Sequence, residues 1–115
     1  MSEFRMKKLE SFLLKEIGSL IAEKKIKDPR VTEHLNISRV VVSKDIQYAK
    51  IYVSSFEEHK KLEKSVKALN HAAGFIQSIL GKKMHTRSTP KLTFIPDTSI
   101  KEGFEINRLI ERSLH

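Results

Sequence analysis

From Leu62 to Met84 the chain places apolar residues at 62, 66, 69, 73, 76 and 80, alternating steps of four and three that continue through Ala72-Ala73-Gly74 without a change of phase. The spacing predicts a long helix with one buried stripe, which Phe75 and Ile79 widen beside Ile76 and Leu80. A straight helix from about Glu57 to Met84 would be roughly 42 Å long at 1.5 Å per residue. A compact domain of this length is only about 34 Å across. The helix should therefore bend or break, and the small residues Ala72, Ala73 and Gly74 are where a bend costs least.

The remaining elements are arranged around that stretch. Phe4, Leu9, Phe12, Leu13, Ile17, Leu20 and Ile21 fall on one helical stripe between Glu3 and about Lys25, predicting an amphipathic helix whose apolar side, Phe4 and Phe12 included, covers a core. Asp28-Pro29-Arg30 follows, and because proline disfavours helical geometry at the residue before it, the helix is expected to end near Lys25 to Lys27. Asn36 to Ser43 and Tyr48 to Ser54 are rich in β-branched and aromatic residues and predict a hairpin. Ala49, Ile51 and Val53 should face the core, with Tyr48, Lys50 and Tyr52 on the other side. In the first strand both alternating sets hold valine or isoleucine, and Val40 with Val42 is the preferred inward pair. Lys91 to Ile95, bounded by Pro90 and Pro96, predicts a third strand, parallel to the second because a long helical crossover joins them. Ile100, Ile106, Leu109 and Ile110 suggest a short final helix between Ser99 and Leu114. The expected architecture is α+β, a single domain over residues 1–115 in the order α-β-β-α-kink-α-β with a short C-terminal helix and a three-stranded sheet covered by helices.

Charge is distributed unevenly over this plan. The formal net charge is +8. Between His59 and Lys91 eight basic residues (Lys60, Lys61, Lys64, Lys67, Lys82, Lys83, Arg87, Lys91) stand against one acid, Glu63, so nearly all the excess lies around the expected bend. A basic patch on a near-neutral body is the footprint of a polyanion-binding face, most often for nucleic acid. Flexible lysines with little acid nearby suit phosphates, where point charge matters more than shape. Lys60, Lys64 and Lys67 share one side of the first arm, Lys82, Lys83 and Arg87 sit just past the second, where the chain loops towards the third strand, and His71 sits at the bend itself. Tyr48 and Tyr52, flanking Lys50, offer either base stacking or ordinary cross-strand packing.

Other function classes find little support. No apolar run approaches the roughly 18 residues of a membrane span. The chain has no cysteine, so disulfides and thiolate metal sites are excluded. Histidines 34, 59, 71, 85 and 115 show no zinc-ligand spacing, and no phosphate-binding glycine loop of the nucleotide-binding type occurs. No cofactor, metal or small-molecule substrate is expected, and the composition suits a cytoplasmic protein.

The order α-β-β-α-α-β is that of a type II KH domain, and the chain resembles the bacterial ribosome-binding factor A family. The resemblance rests on Asp28-Pro29-Arg30, on Val42-Ser43-Lys44-Asp45 followed by Tyr48-Ala49-Lys50-Ile51-Tyr52-Val53-Ser54, on Ala72-Ala73-Gly74-Phe75, and on Arg87-Ser88-Thr89-Pro90-Lys91-Leu92-Thr93-Phe94 with Asp97 and Ser99. It implies a non-enzymatic factor that binds the 30S small ribosomal subunit and its 16S rRNA, assists late rRNA processing and maturation, and serves cold adaptation. In that family the Gly-x-x-Gly loop of KH domains is replaced by a helix-kink-helix with an Ala-x-Gly motif, here Ala72-Ala73-Gly74. The glycines at 18, 74, 81 and 103 include no pair at Gly-x-x-Gly spacing. Two alternatives belong to other classes: a small RNA-processing enzyme, for which no paired acid and base recur near the basic stretch, and a protein-interaction module dimerising through the first helix. The expectation here is a monomer.

Overall fold

The computed structural model describes residues 3–32, 34–56, 58–84 and 89–97. The elements are α1 (Glu3–Ala22), β1 (Asn36–Val42), β2 (Tyr48–Ser54), α2 (His59–His71), α3 (Ala73–Met84) and β3 (Lys91–Pro96). The three strands form one sheet in the order β1-β2-β3, with β1 antiparallel and β3 parallel to β2. This is the expected α-β-β-α-α-β arrangement. The short helix expected between Ser99 and Leu114 lies outside the described residues.

One face of the sheet is covered. Val40, Val42, Ala49, Ile51, Val53, Leu92 and Phe94 are buried with Leu13, Ile17, Leu20 and Ile21 of α1, Leu62, Val66 and Leu69 of α2, and Ile76 and Leu80 of α3 in one hydrophobic cluster. Each fully buried side chain of this size contributes about 1.5–3 kcal/mol over leaving it in water. The apolar stripe of 62, 66, 69, 76 and 80 is thus buried on both sides of the bend.

The ambiguity in β1 has a physical origin. Its pairing to β2 runs Ile37↔Val53 and then Arg39↔Tyr52, so a β-bulge sits at Ser38. An extra residue reverses the two-residue alternation. Ile37 therefore packs against the same core as Val40 and Val42, although it belongs to the opposite alternating set. Ser38 Oγ donates to Asp97 Oδ2 at 2.6 Å, and Asp97 N–H donates to the Val53 carbonyl at 2.7 Å, so the bulge ties the exit of β3 to both other strands.

Side chains from the helices cap one residue on each outer edge of the sheet. Glu10 Oε2 of α1 accepts from Val42 N–H at 2.8 Å. Asn70 of α2 acts as a short extra strand on β3: its Nδ2 donates to the Phe94 carbonyl at 3.0 Å, and its Oδ1 accepts from Phe94 N–H at 2.8 Å. Unpaired edge groups invite association with other strands, and these contacts satisfy the groups of Val42 and Phe94.

Three expectations need correction. Helix α1 ends at Ala22, before the region the proline was expected to set. The stop is a Schellman motif: Lys25 N–H donates to the Leu20 carbonyl and Lys24 N–H to that of Ile21, with Lys24 at φ 56°. Phe4, on the first turn of α1, is 75% exposed and stands outside the core; Phe12 does pack against it. Phe75 is 52% exposed, since it lies beside the stripe in α3 and only Ile76 and Leu80 reach full burial there.

Candidate nucleic-acid interface

The predicted bend occupies a single residue. Ala72, between α2 and α3, has φ −87° and ψ 1°, rotated out of the helical region into the sparsely populated bridge region. Its N–H still donates to the Ala68 carbonyl at 3.0 Å, and its own carbonyl accepts from Ile76 N–H at 2.9 Å, so the chain turns while keeping its helical phase. Gly74 is not the steric origin of the turn. It lies inside α3 with no positive φ, and a Cβ added there would meet nothing within 4 Å. The small side chains of Ala72 and Ala73 pack half-buried against the core.

The two arms carry the cations outward. Burial of Leu62, Ser65, Val66, Ala68 and Leu69 on one side of α2 leaves Lys60, Lys61, Lys64 and Lys67 exposed on the other. None of these four has a carboxylate partner among the described residues. Glu63, the acid of α2, lies 2.9 Å from His59 Nε2 one turn earlier. His71 ends α2 and is exposed in a groove of about 350 Å³ that it lines with Lys25, Lys27, Asp28, Ala72 and Phe75. Lys25, Lys27 and the exposed Phe75 are members of this surface that the sequence reading did not include.

Lys82 and Lys83, in the last turn of α3, are exposed, but they differ. Lys83 Nζ donates to Glu16 Oε2 of α1 at 2.6 Å. That hydrogen bond raises the Lys83 pKa above the ordinary lysine value. Lys83 therefore ties α3 to α1, and its charge is partly neutralised; Lys82 has no such partner among the described residues. Arg87 lies outside the described residues. Lys91 is separated from the helical lysines: it opens β3 on the outward face of the sheet, where its neighbours are Tyr48 and, one row along, Lys50. Arg39 shares that face, its guanidinium 4.2 Å from the centre of the Tyr52 ring. Tyr52 is thus occupied by a cross-strand cation, whereas Tyr48 is 55% exposed.

The loop after α1 is closely organised. Asp28 Oδ1 accepts from Arg30 N–H at 3.0 Å and from Nε at 3.1 Å, and Oδ2 accepts from Nη2 at 2.8 Å. The Arg30 guanidinium, bonded directly to the Asp28 carboxylate, lowers its pKa to about 2. Ser65 Oγ of α2 donates to the Arg30 carbonyl at 2.5 Å and so fastens the loop to the basic arm.

Residues 5–110 match the family model described as ribosome-binding factor A. The chain is 52% identical over 110 residues to the ribosome-binding factor A of Treponema denticola, an alignment covering 95% of this chain and 83% of that protein. Its identity to the protein of that name from Borrelia garinii is 48% over 104 residues, covering 90% and 87%. Among solved structures it is similar to the crystal structure of ribosome-binding factor A from Thermus thermophilus, with a TM-score of 0.66 and 28% identity over 79% of this chain and 94% of that one. It is also similar to a homology model of the Thermus thermophilus factor fitted into the cryo-EM map of a complex with the 30S subunit, with a TM-score of 0.55 and 27% identity over 76% and 93% of the two chains.

Proposed function

Because the chain belongs to the ribosome-binding factor A family, we propose that it binds the small ribosomal subunit through 16S rRNA and assists the late processing and maturation of that RNA, including during growth in the cold. The observation that carries the RNA reading is the row of exposed lysines on α2 and α3 around Ala72, with Lys60, Lys61, Lys64, Lys67 and Lys82 free of carboxylate partners among the described residues. A fitted complex of a similar protein with the 30S subunit supports the choice of partner. In this reading residues 1–115 act as one monomeric KH-like unit in the cytoplasm, by binding and not by catalysis. No helix among the described residues is long and apolar enough to cross a membrane.

Contacts of this kind go to the phosphate backbone and set position, with little reading of base identity. Neutralising about five phosphates gives a log–log salt slope of roughly −3.5 to −4.5, so affinity should fall on the order of 100- to 500-fold between 50 and 200 mM salt. Co-sedimentation of the protein with purified small subunits across that range tests the proposal. Binding that does not respond to salt would refute it.

A further inference from the structure

The Asp28-Pro29-Arg30 loop and α2 together enclose a second feature of the basic surface. Pro29, Arg30, Thr32, Lys61, Lys64 and Ser65 line a depression of about 270 Å³. Lys61 and Lys64 are three apart on a helix and so project on the same side. Three cationic residues thus line the depression, and no acid is among its lining residues; the nearest carboxylate given by the hydrogen bonds of Arg30 is that of Asp28.

We propose that Arg30, Lys61 and Lys64 form a preorganised receptor for one phosphate of the RNA backbone, with Asp28 as its positioning residue. The inference rests on the RNA-binding reading above and adds a particular site to it. A guanidinium has five N–H donors. Asp28 engages Nε and one hydrogen of Nη2 along one edge, which leaves both hydrogens of Nη1 and the second of Nη2 for another acceptor. Paired donors on the remaining edge match the non-bridging oxygens of a phosphate. The loop cannot swing freely, because Asp28 also holds Arg30 N–H and the nearly buried Ser65 hydroxyl holds the Arg30 carbonyl. A donor fixed before binding loses less conformational freedom on binding than a mobile lysine. Thr32, another residue of the wall, keeps a buried hydroxyl, Oγ1, without a hydrogen-bond partner among the described residues.

The test follows the Arg30 Nε–H resonance and the Lys61 and Lys64 amides of the full-length protein by NMR, during titration with inorganic phosphate and, separately, with a short single-stranded RNA. In parallel, small-subunit affinity is measured across salt for the unaltered chain, Arg30→Gln, Arg30→Lys and Asp28→Asn. RNA should shift all three signals. Arg30→Gln should weaken subunit binding about tenfold and reduce the salt slope by about 1. Arg30→Lys should restore the slope but only part of the affinity, since the fork is lost. Asp28→Asn should weaken binding while accelerating exchange of the Arg30 Nε proton. Unchanged affinity and slope in Arg30→Gln would overturn the receptor. Shifts with inorganic phosphate but none with RNA would do the same, by making this a site for the free ion. If Arg30→Gln fails to fold, absence of an Arg30 shift in the unaltered chain at saturating RNA is decisive against it. Lys60→Glu with Lys67→Glu separates the two levels: if that pair abolishes binding while Arg30→Gln does not, only the receptor falls, and if neither matters, the RNA-binding reading falls with it.

Discussion

Asn70 offers the most informative single perturbation of the fold, because it joins the arm before the bend to the free edge of β3. Asn70→Ala removes hydrogen bonds of 2.8 and 3.0 Å to the backbone of Phe94, whose side chain is 2% exposed. Each bond contributes a net of about 0.5–1.5 kcal/mol, and a buried backbone group left unpaired costs about 1–3 kcal/mol. Asn70 itself is exposed, so water can reach part of the vacated space and the low end of that penalty applies. The expected loss is about 2–3 kcal/mol, or roughly 10–15 °C in Tm for a chain of this size. Urea unfolding followed by circular dichroism, with an unchanged m value, is the appropriate assay. Asn70→Asp supplies an internal check. At neutral pH its carboxylate still accepts from Phe94 N–H but faces the Phe94 carbonyl, and protonation in acid restores a donor. Its folded-state pKa is therefore raised, so stability is regained at acid pH and lost as pH rises through that value. A loss below about 0.5 kcal/mol in Asn70→Ala would refute the view that this side chain pins the bend to the sheet.

The remaining stability predictions concern positions where local geometry decides the outcome. Gly74→Ala should stabilise the protein by about 0.5–1 kcal/mol, because Gly74 is helical and a Cβ there meets nothing; a loss in thermal denaturation would show that the bend needs glycine after all. The Asp28 carboxyl carbon should titrate near pH 2 by NMR and return to about 3.9 in Arg30→Ala. Since its folded pKa is depressed, the stability it confers is complete above the unfolded value and is lost as pH falls towards 2. An ordinary midpoint in the unaltered chain would mean that the Arg30 contact does not persist in solution.

Periodicity made the core of α2 and α3 legible, because an apolar stripe at four-and-three spacing has one burial solution whether or not the helix bends. The strand order and the parallel β2–β3 pair followed from a helical crossover between strands. What escaped the sequence depends on single backbone events. The bulge at Ser38 admits Ile37 to the core together with Val40 and Val42, and no alternation rule locates an inserted residue. The Schellman end of α1 uses lysine where glycine is the usual signal. Phe4 satisfies the stripe arithmetic and is exposed all the same, whereas Phe75 lies at the border of the stripe, where one helical step separates burial from solvent. At the candidate interface, the exposed lysines of α2 followed from helical phase, whereas the tie between Lys83 and Glu16 joins residues 67 positions apart. Lys91 is close in sequence to the basic arm yet opens a strand whose outward face lies across the sheet from it. Asp28 and Arg30 are only two residues apart, and their pairing was readable in principle as a turn. Its link to α2 through Ser65 was not.

The central claim is that position, and not net charge alone, makes the surface around Ala72 the RNA-binding face. The most direct measurement compares two triple variants with the same change in charge for binding to purified small subunits at fixed salt. One reverses Lys60, Lys64 and Lys67 on α2, and the other reverses Arg39, Lys50 and Lys91 on the outward face of the sheet. With both variants folded, the α2 reversal should lower affinity on the order of 100-fold or more and the sheet reversal by roughly threefold or less. Equal losses would contradict the account, and a larger loss from the sheet reversal would place the RNA on the opposite face of the protein.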